Sequence, residues 1–306
     1  MNFRIDRFTL AGFAALLSWG AAASILRSLI EKIGGIYAAA TVQGVAGAFG
    51  LIILLFSGRL LKSMQGSRLH NKIICGVLLT TYLLCLYTAF EFAKDREQSQ
   101  AVGLANYLWP VFSLLLTIPI LGYRARWYLL IPGVVITVSG LMLAGSEGWR
   151  SWEALGRSIR DNPVSFILAS CGAVSWGLYS NLSRKLGRGS ESGVVFVYML
   201  ATSIALSFLT PFSKVVPTWN QMAFVEIMII GIFSAIGYFL WDVAMKRGQV
   251  IVVITASYFM PAIYMLISTV YLKTKPPISA FAGMTLLIIG ALLSKKGVLA
   301  RIVKVD

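Results

Sequence analysis

Apolar runs of about 18 residues or more recur from one end of the chain to the other, separated by short breaks rich in Gly, Pro and charge. A helix rises 1.5 Å per residue, so about 20 apolar residues cross the ~30 Å hydrocarbon core of a bilayer. Ten such spans are predicted, over roughly residues 9–30, 36–57, 71–90, 99–121, 127–146, 164–185, 193–212, 222–245, 250–272 and 277–295. No break between them is long enough for a soluble domain. The fold class read from this pattern is an all-α polytopic membrane protein with ten transmembrane helices.

The pattern is also duplicated. Ser18-Trp19-Gly20, followed by Arg27 and Leu29, recurs as Ser175-Trp176-Gly177, Arg184 and Leu186, at a constant offset of 157. Tyr107-x-x-Pro110 recurs as Tyr258-x-x-Pro261 at an offset of 151. Cys75-Gly76 falls opposite Ile230-Gly231, Tyr87 opposite Trp241, and Gly140 opposite Gly290. Spans 1–5 and 6–10 are therefore read as two copies of one unit. Five is odd, so the second copy enters from the opposite face, which gives a 5+5 inverted repeat around a central cavity. The domain reading is a first repeat over residues 1–146, a linker over 147–163, and a second repeat with a basic tail over 164–306. In the linker, Trp152, Leu155 and Ile159 share one helical face, which predicts a short helix on the membrane surface. The N-terminal run, with Arg4, Arg7 and Ala21-Ala22-Ala23, looks like a signal peptide, but its copy in mid-chain argues that it is retained as span 1.

Composition agrees: 58% of residues are hydrophobic and 13% charged, which excludes an ordinary soluble globule. The net charge of +15 is a topology signal rather than a nucleic-acid signal, since the charges are scattered over short breaks. Counting span ends, 17 Lys and Arg fall on the side that would hold both termini and 10 on the other, which places both termini in the cytoplasm. Nucleic acid is not an expected partner; the small-molecule substrate and membrane lipid are. The sequence sets no oligomeric state. Cys75, Cys85 and Cys171 lie inside spans and read as packing residues. His70 is the sole histidine, so no histidine metal site forms, and no metal or cofactor is expected.

Candidate chemistry concentrates at the two proline breaks. Pro110 and Pro261 have no N–H, so the carbonyls of Asn106 and Ser257 lose their helical partners near mid-membrane. Such a group is tolerated only against protein or a water-filled cavity. These breaks are the expected gating points, between the two halves. Trp19, Trp176, Tyr107 and Tyr258 sit too deep in their spans for interfacial anchoring, which leaves buried packing or cavity lining. The candidate substrate-binding set is Trp19, Gln43, Tyr82, Tyr87, Asn106, Tyr107, Trp109, Trp176, Tyr179, Asn181, Tyr238, Trp241, Ser257 and Tyr258, with Gln43 equally able to bond a neighbouring helix. Aromatic walls with a few amide, hydroxyl and carbonyl groups suit a flat apolar ligand with a small zwitterionic head. No catalytic residue is identified, because the acid–base sets of membrane enzymes are missing. Asp242 and Lys246, at i and i+4 in span 8, read as a structural ion pair, and Glu226 as a carboxylate at that helix's N-terminus. Ala40, Gly44 and Ala48 read as a small-residue packing stripe.

Ten spans as a 5+5 repeat resemble the EamA-type branch of the drug/metabolite transporter superfamily. The run Leu86-Tyr87-Thr88-Ala89-Phe90-Glu91, through Gln100, to Asn106-Tyr107-Leu108-Trp109-Pro110 resembles the YddG-type aromatic amino acid exporters. The resemblance implies alternating-access export of aromatic amino acids, and of related metabolites, across a bacterial inner membrane. It also implies a cavity lined by spans 1–4 and 6–9, with spans 5 and 10 peripheral. Export of drugs or other small metabolites is the alternative, and a membrane enzyme or receptor a more remote one.

Overall fold

The computed structural model describes residues 5–94, 96–144, 151–187, 190–213, 215–260, 263 and 278–299. The helices are α1 (Arg7–Ile33), α2 (Gly35–Phe56), α3 (Leu60–Met64), α4 (Leu69–Phe92), α5 (Arg96–Asn106), α6 (Trp109–Leu121), α7 (Trp127–Ala144), α8 (Ser151–Asp161), α9 (Pro163–Leu186), α10 (Val195–Ser207), α11 (Gln221–Arg247), α12 (Val250–Ser257) and α13 (Ile278–Gly297). Among the described residues eight segments are long and apolar enough to cross a membrane, with α5 and α6 sharing one. A ninth is α1, if its two parts, bent by 46°, cross together. The expected count of ten is thus reduced here, and most of the expected span 250–272 beyond Met260 lies outside the described residues. The linker residues Ser151–Asp161 form the helix α8.

Side chains close several helix ends. Asp6 Oδ1 accepts from Phe8 N and Thr9 N at 2.9 and 2.8 Å and starts α1. Asn162 and Asn220 do the same for α9 and α11. Gly34, at φ +82°, makes the one-residue turn into α2 that a Cβ would strain. The N-terminus of α2 has no cap of its own, and Glu91 of α4 accepts from Gly35 N at 2.9 Å instead. Glu226 lies a turn and a half inside α11, not at its start. It accepts from Lys32 Nζ at 2.6 Å and Ser28 Oγ at 2.8 Å, so it ties α11 to the end of α1 rather than capping α11.

Four antiparallel pairs build the bundle: α1 with α11, α4 with α9, α2 with α10, and α7 with α13. Some contacts recur between pairs. Ser18 Oγ donates to Phe233 O at 2.8 Å, and Ser175 Oγ to Leu78 O at 2.8 Å. On the α7–α13 seam, a Cβ on Gly140 would lie 2.7 Å from Gly283 O, and one on Gly283 2.6 Å from Gly140 O. Gly133 and Gly290 face each other in the same way, at 3.0 and 2.7 Å. Bare backbones meet here because lipid supplies no hydrophobic drive, so close van der Waals contact has to hold the pair. On α2 the expected packing stripe holds at Ala40, whose carbonyl accepts from Ser203 Oγ of α10 at 2.7 Å, and at Gly44, but not at Ala48. Gly44, Gly47 and Gly50 face Ser203, Leu200 and Phe196 of α10, and Ala48 is exposed.

Candidate functional site

Seven rings from five helices meet in the middle of the bundle. Trp176 of α9 is their hub, with Trp19 at 5.6 Å, Tyr82 at 4.9 Å, Trp109 at 6.0 Å, Tyr179 at 5.3 Å, Tyr238 at 5.6 Å and Trp241 at 5.7 Å between centroids. Trp176 and Tyr179, and Tyr238 and Trp241, are each three residues apart, so both pairs share a helix face. Gly237 makes room for Trp19, since a Cβ there would lie 2.4 Å from Trp19 Nε1. Gly177 lets the backbone of α6 approach, a Cβ at that position lying 3.0 Å from Ser113 N. Trp176 is 2% exposed, and Tyr179 and Trp241 are fully buried. The rings fill the centre of the bundle rather than line an open hole.

The helix break brings Trp109 to this cluster. The helix stops at Asn106, turns through Tyr107 and Leu108, and restarts at Trp109 with Pro110 as its second residue. Leu108 N donates to Ala105 O at 3.2 Å, and its image, Phe259 N, donates to Ala256 O at 3.0 Å. The first break is thus the one expected from the sequence, and Pro261 lies outside the described residues.

Several buried polar atoms here have no hydrogen-bond partner among the described residues: Trp19 Nε1, Trp176 Nε1, Asn106 Oδ1, Asn181 Oδ1, Gln43 Oε1 and Tyr258 OH. Each costs about 1–3 kcal/mol unless a partner arrives. Asn181 spends its amide on Ser113 O and Gly177 O, both at 2.9 Å, tying α9 to α6.

The rest of the predicted set is dispersed. Tyr87 is buried in the same apolar core, without a ring contact among the described residues. Tyr107 is half-buried between that core and a second cluster. Tyr258 belongs to the second cluster, with Val111, Leu141, Leu287 and Ala291. Ser257 is buried and donates to Ile254 O at 2.6 Å. Gln43 is buried on α2.

Sequence reasoning overlooked a polar layer beside the rings. Ser180 accepts from Trp241 Nε1 at 3.2 Å. Asp242 Oδ1 accepts from Tyr179 OH at 3.2 Å and from Ser183 Oγ, and Asp242 Oδ2 pairs with Lys246 Nζ at 2.7 Å. Lys246 also donates to Glu191 O at 3.0 Å. The ion pair read from the sequence is therefore present, and it belongs to this network. The signal was available, since Trp176, Tyr179, Ser180 and Ser183 fall on one face of α9. Ser183, Asp242 and Lys246 of this layer line a narrow cleft with a volume of about 10 Å³, room for about one water, on the face of the bundle where α1 begins.

A model of the EamA-like transporter family matches residues 8–146 and 164–295. Proteins named aromatic amino acid exporter YddG are similar over almost the whole chain. The one from Salmonella typhimurium is 28% identical over 293 residues, which cover 94% of this chain and 96% of that protein. The one from Escherichia coli K12 is 26% identical over 291 residues, with the same coverage. The one from Ancylobacter novellus is 28% identical over 276 residues, 86% of this chain and 88% of that protein. A crystal structure superposes with a TM-score of 0.79 over 95% of this chain and 98% of its own, at 22% identity, so it shares the fold.

Proposed function

Because this chain belongs to the EamA-like transporter family, we propose that it exports aromatic amino acids from the cytoplasm across a bacterial inner membrane by alternating access. It is a multi-pass membrane protein and a transporter, not an enzyme. In this reading ten helices form two inverted five-helix copies, over residues 1–146 and 164–306, with both termini cytoplasmic. The exchange-symmetric contacts of α1–α11, α4–α9 and α7–α13 support the duplication.

The observation that carries the substrate is the ring cluster with two indole N–H groups, Trp19 Nε1 and Trp176 Nε1, that have no partner among the described residues. Rings that part around a flat side chain replace ring–ring contacts with ring–ligand contacts, each worth about 0.5–1.5 kcal/mol beyond burial. The donors, with Asn106 Oδ1, then find partners on the substrate. Trp19, Tyr82, Trp109 and Trp176 hold the ring, Asn106 orients the head, and the breaks at Pro110 and Pro261 let the helices rock. The names of the relatives from Salmonella typhimurium and Escherichia coli support the same substrate class.

The test is counterflow of labelled phenylalanine and tryptophan in liposomes containing the purified chain. Flux is expected in the wild type, with a tenfold or larger loss in well-folded Trp176→Ala. Unchanged flux in Trp19→Ala, Trp109→Ala and Trp176→Ala removes the site assignment, and absence of wild-type flux for every aromatic amino acid removes the function. Preferential flux of drugs or non-aromatic metabolites in the same assay replaces the substrate class.

A further inference from the structure

Two consecutive residues of α9 fix the rings on either side of Trp176. Ser180 accepts from Trp241 Nε1 at 3.2 Å. Asn181 Nδ2 donates to Ser113 O of α6 at 2.9 Å, and Ser113 lies one turn beyond Trp109. Trp109 in turn stands 6.0 Å from Trp176 and 5.3 Å from Trp241, edge-on to both. So α9 carries one of these three indoles, bonds the second, and is tied to the helix that bears the third. We infer that Asn181 is a positioning residue: it touches no substrate, and it sets the place of Trp109 in the aromatic site by holding α6 in register on α9. This rests on the transport reading above and adds to it the residue that fixes one wall of the site.

α6 needs such a tie because the chain breaks just before it. α5 ends at Asn106, and Leu108 gives α6 no side-chain cap. The turn at Tyr107 and Leu108 therefore lets α6 shift without α5, and Trp109, its first residue, shifts with it. Lipid supplies no hydrophobic drive between helices, so close packing and interhelical hydrogen bonds set their positions. Both act at one level of the α6–α9 seam. Gly177 lets the α6 backbone in, with Phe112 C 3.2 Å from where its Cβ would lie. A bare glycine permits close approach but does not select a register, since it presents no side chain to interlock. The amide one turn further on does select it. A slide of about 2 Å along the seam stretches a 2.9 Å bond to about 3.5 Å, the end of hydrogen-bond range. The other amide hydrogen goes to Gly177 O at 2.9 Å, which pins the side chain to its own helix. Asn181 and Ser113 are both fully buried, so bulk water does not compete for the bond.

The test uses the full chain in liposomes and reads KM and kcat for phenylalanine counterflow. Asn181→Leu keeps the size of the side chain and removes its donor. Its KM is expected to rise about three- to tenfold, the weight of one interhelical hydrogen bond, with kcat kept. The inhibition constants of phenethylamine and 3-phenylpropionate, each lacking one charge of the amino-acid head, should rise by the same factor. Ser113→Ala should leave KM unchanged, because the acceptor is the main-chain oxygen. A brace that only stabilises the bundle lowers kcat through loss of active protein and leaves KM alone. That outcome, or no change at all, overturns the proposal while the wild-type flux, and so the function, stands. So does a KM effect of Ser113→Ala as large as that of Asn181→Leu, or a rise for one analogue and not the other, which makes Asn181 a ligand contact. Absence of wild-type counterflow removes the transport reading and this inference with it. If Asn181→Leu is not monodisperse, Asn181→Ser decides. Its hydroxyl reaches the Gly177 carbonyl within the helix but falls short of Ser113 O, so the same rise in KM is expected, and an unchanged KM overturns the proposal.

Discussion

Methyl groups placed on the α7–α13 seam test whether the two halves are copies of one unit. A Cβ at Gly283 would lie 2.3 Å from Ala144 N and 2.6 Å from Gly140 O, where ordinary contact begins at 3.4 Å. The obstructing atoms are backbone, so no side chain can swing away, and the helices have to part by about 1 Å. Overpacking of this kind costs about 1–3 kcal/mol. Exchange of the halves maps Gly283 onto Gly133 and Gly140 onto Gly290. Gly283→Ala and Gly133→Ala should therefore destabilise equally, as should Gly140→Ala and Gly290→Ala, within about 0.5 kcal/mol. Gly140→Ala and Gly283→Ala press on the same contact, so the double variant should cost less than the two singles together, because the first methyl has already opened the gap. Unfolding free energies from SDS titration in mixed micelles measure all of this. Phenylalanine counterflow should survive, since the seam lies outside the ring cluster. A Gly283→Ala variant as stable as the wild type, or image variants differing by more than about 1 kcal/mol, would falsify the two-fold packing.

Three further outcomes are expected. Ser18→Ala and Ser175→Ala each remove one interhelical hydrogen bond of 2.8 Å, and each should cost about 0.6 kcal/mol in the same titration. Glu226→Ala leaves Lys32 and Ser28 without their acceptor, so it should destabilise by about 1–3 kcal/mol, and the double variant Lys32→Met/Glu226→Gln should recover part of that. At Asp6, desolvation raises the carboxyl pKa but is outweighed by hydrogen bonds from Thr9, Phe8 and Gln249, so the pKa is lowered. Its cap is therefore fully present above the unfolded value of about 3.9 and is lost as the pH falls through the lower folded value. Asp6→Ala should cost about 0.5–2 kcal/mol at neutral pH and abolish that acid-side loss in a pH series of thermal midpoints.

The legible part of the site was whatever depends on local sequence. The Pro110 break was readable because a missing N–H acts on the carbonyl one turn back, within the same helix. The depth of Trp19 and Trp176 was readable from their distance to the span ends, and both reached the cluster. Which of the remaining aromatic residues would join them was not readable. Tyr258 has the same spacing to its proline as Tyr107, yet it packs toward α7 and α13, because the rotation of α12 about its axis is set by neighbours distant in sequence. Glu226 was misplaced for the same reason, since Lys32 and Ser28 are nearly 200 residues away. Ala48 was assigned to the packing stripe by spacing alone, but beyond Ala40 and Gly44 the crossing of α2 with α10 continues through Gly47 and Gly50.

The sequence by itself determined that the chain lives in a bilayer and roughly where most of its helices lie, and it carries the recurring motifs on which the proposal of two copies rests. Each of these follows from hydrocarbon thickness, backbone hydrogen bonding or simple recurrence, and none requires knowing what touches what. Tertiary structure decided that seven rings close on one another around Trp176, that Asp242 and Lys246 sit beneath them in a shared cleft, and that bare glycines join α7 to α13. Those outcomes depend on which faces of antiparallel helices meet and at what rotation. In lipid that is set by close packing and by the search of buried polar groups for partners, both of which are properties of the assembled bundle.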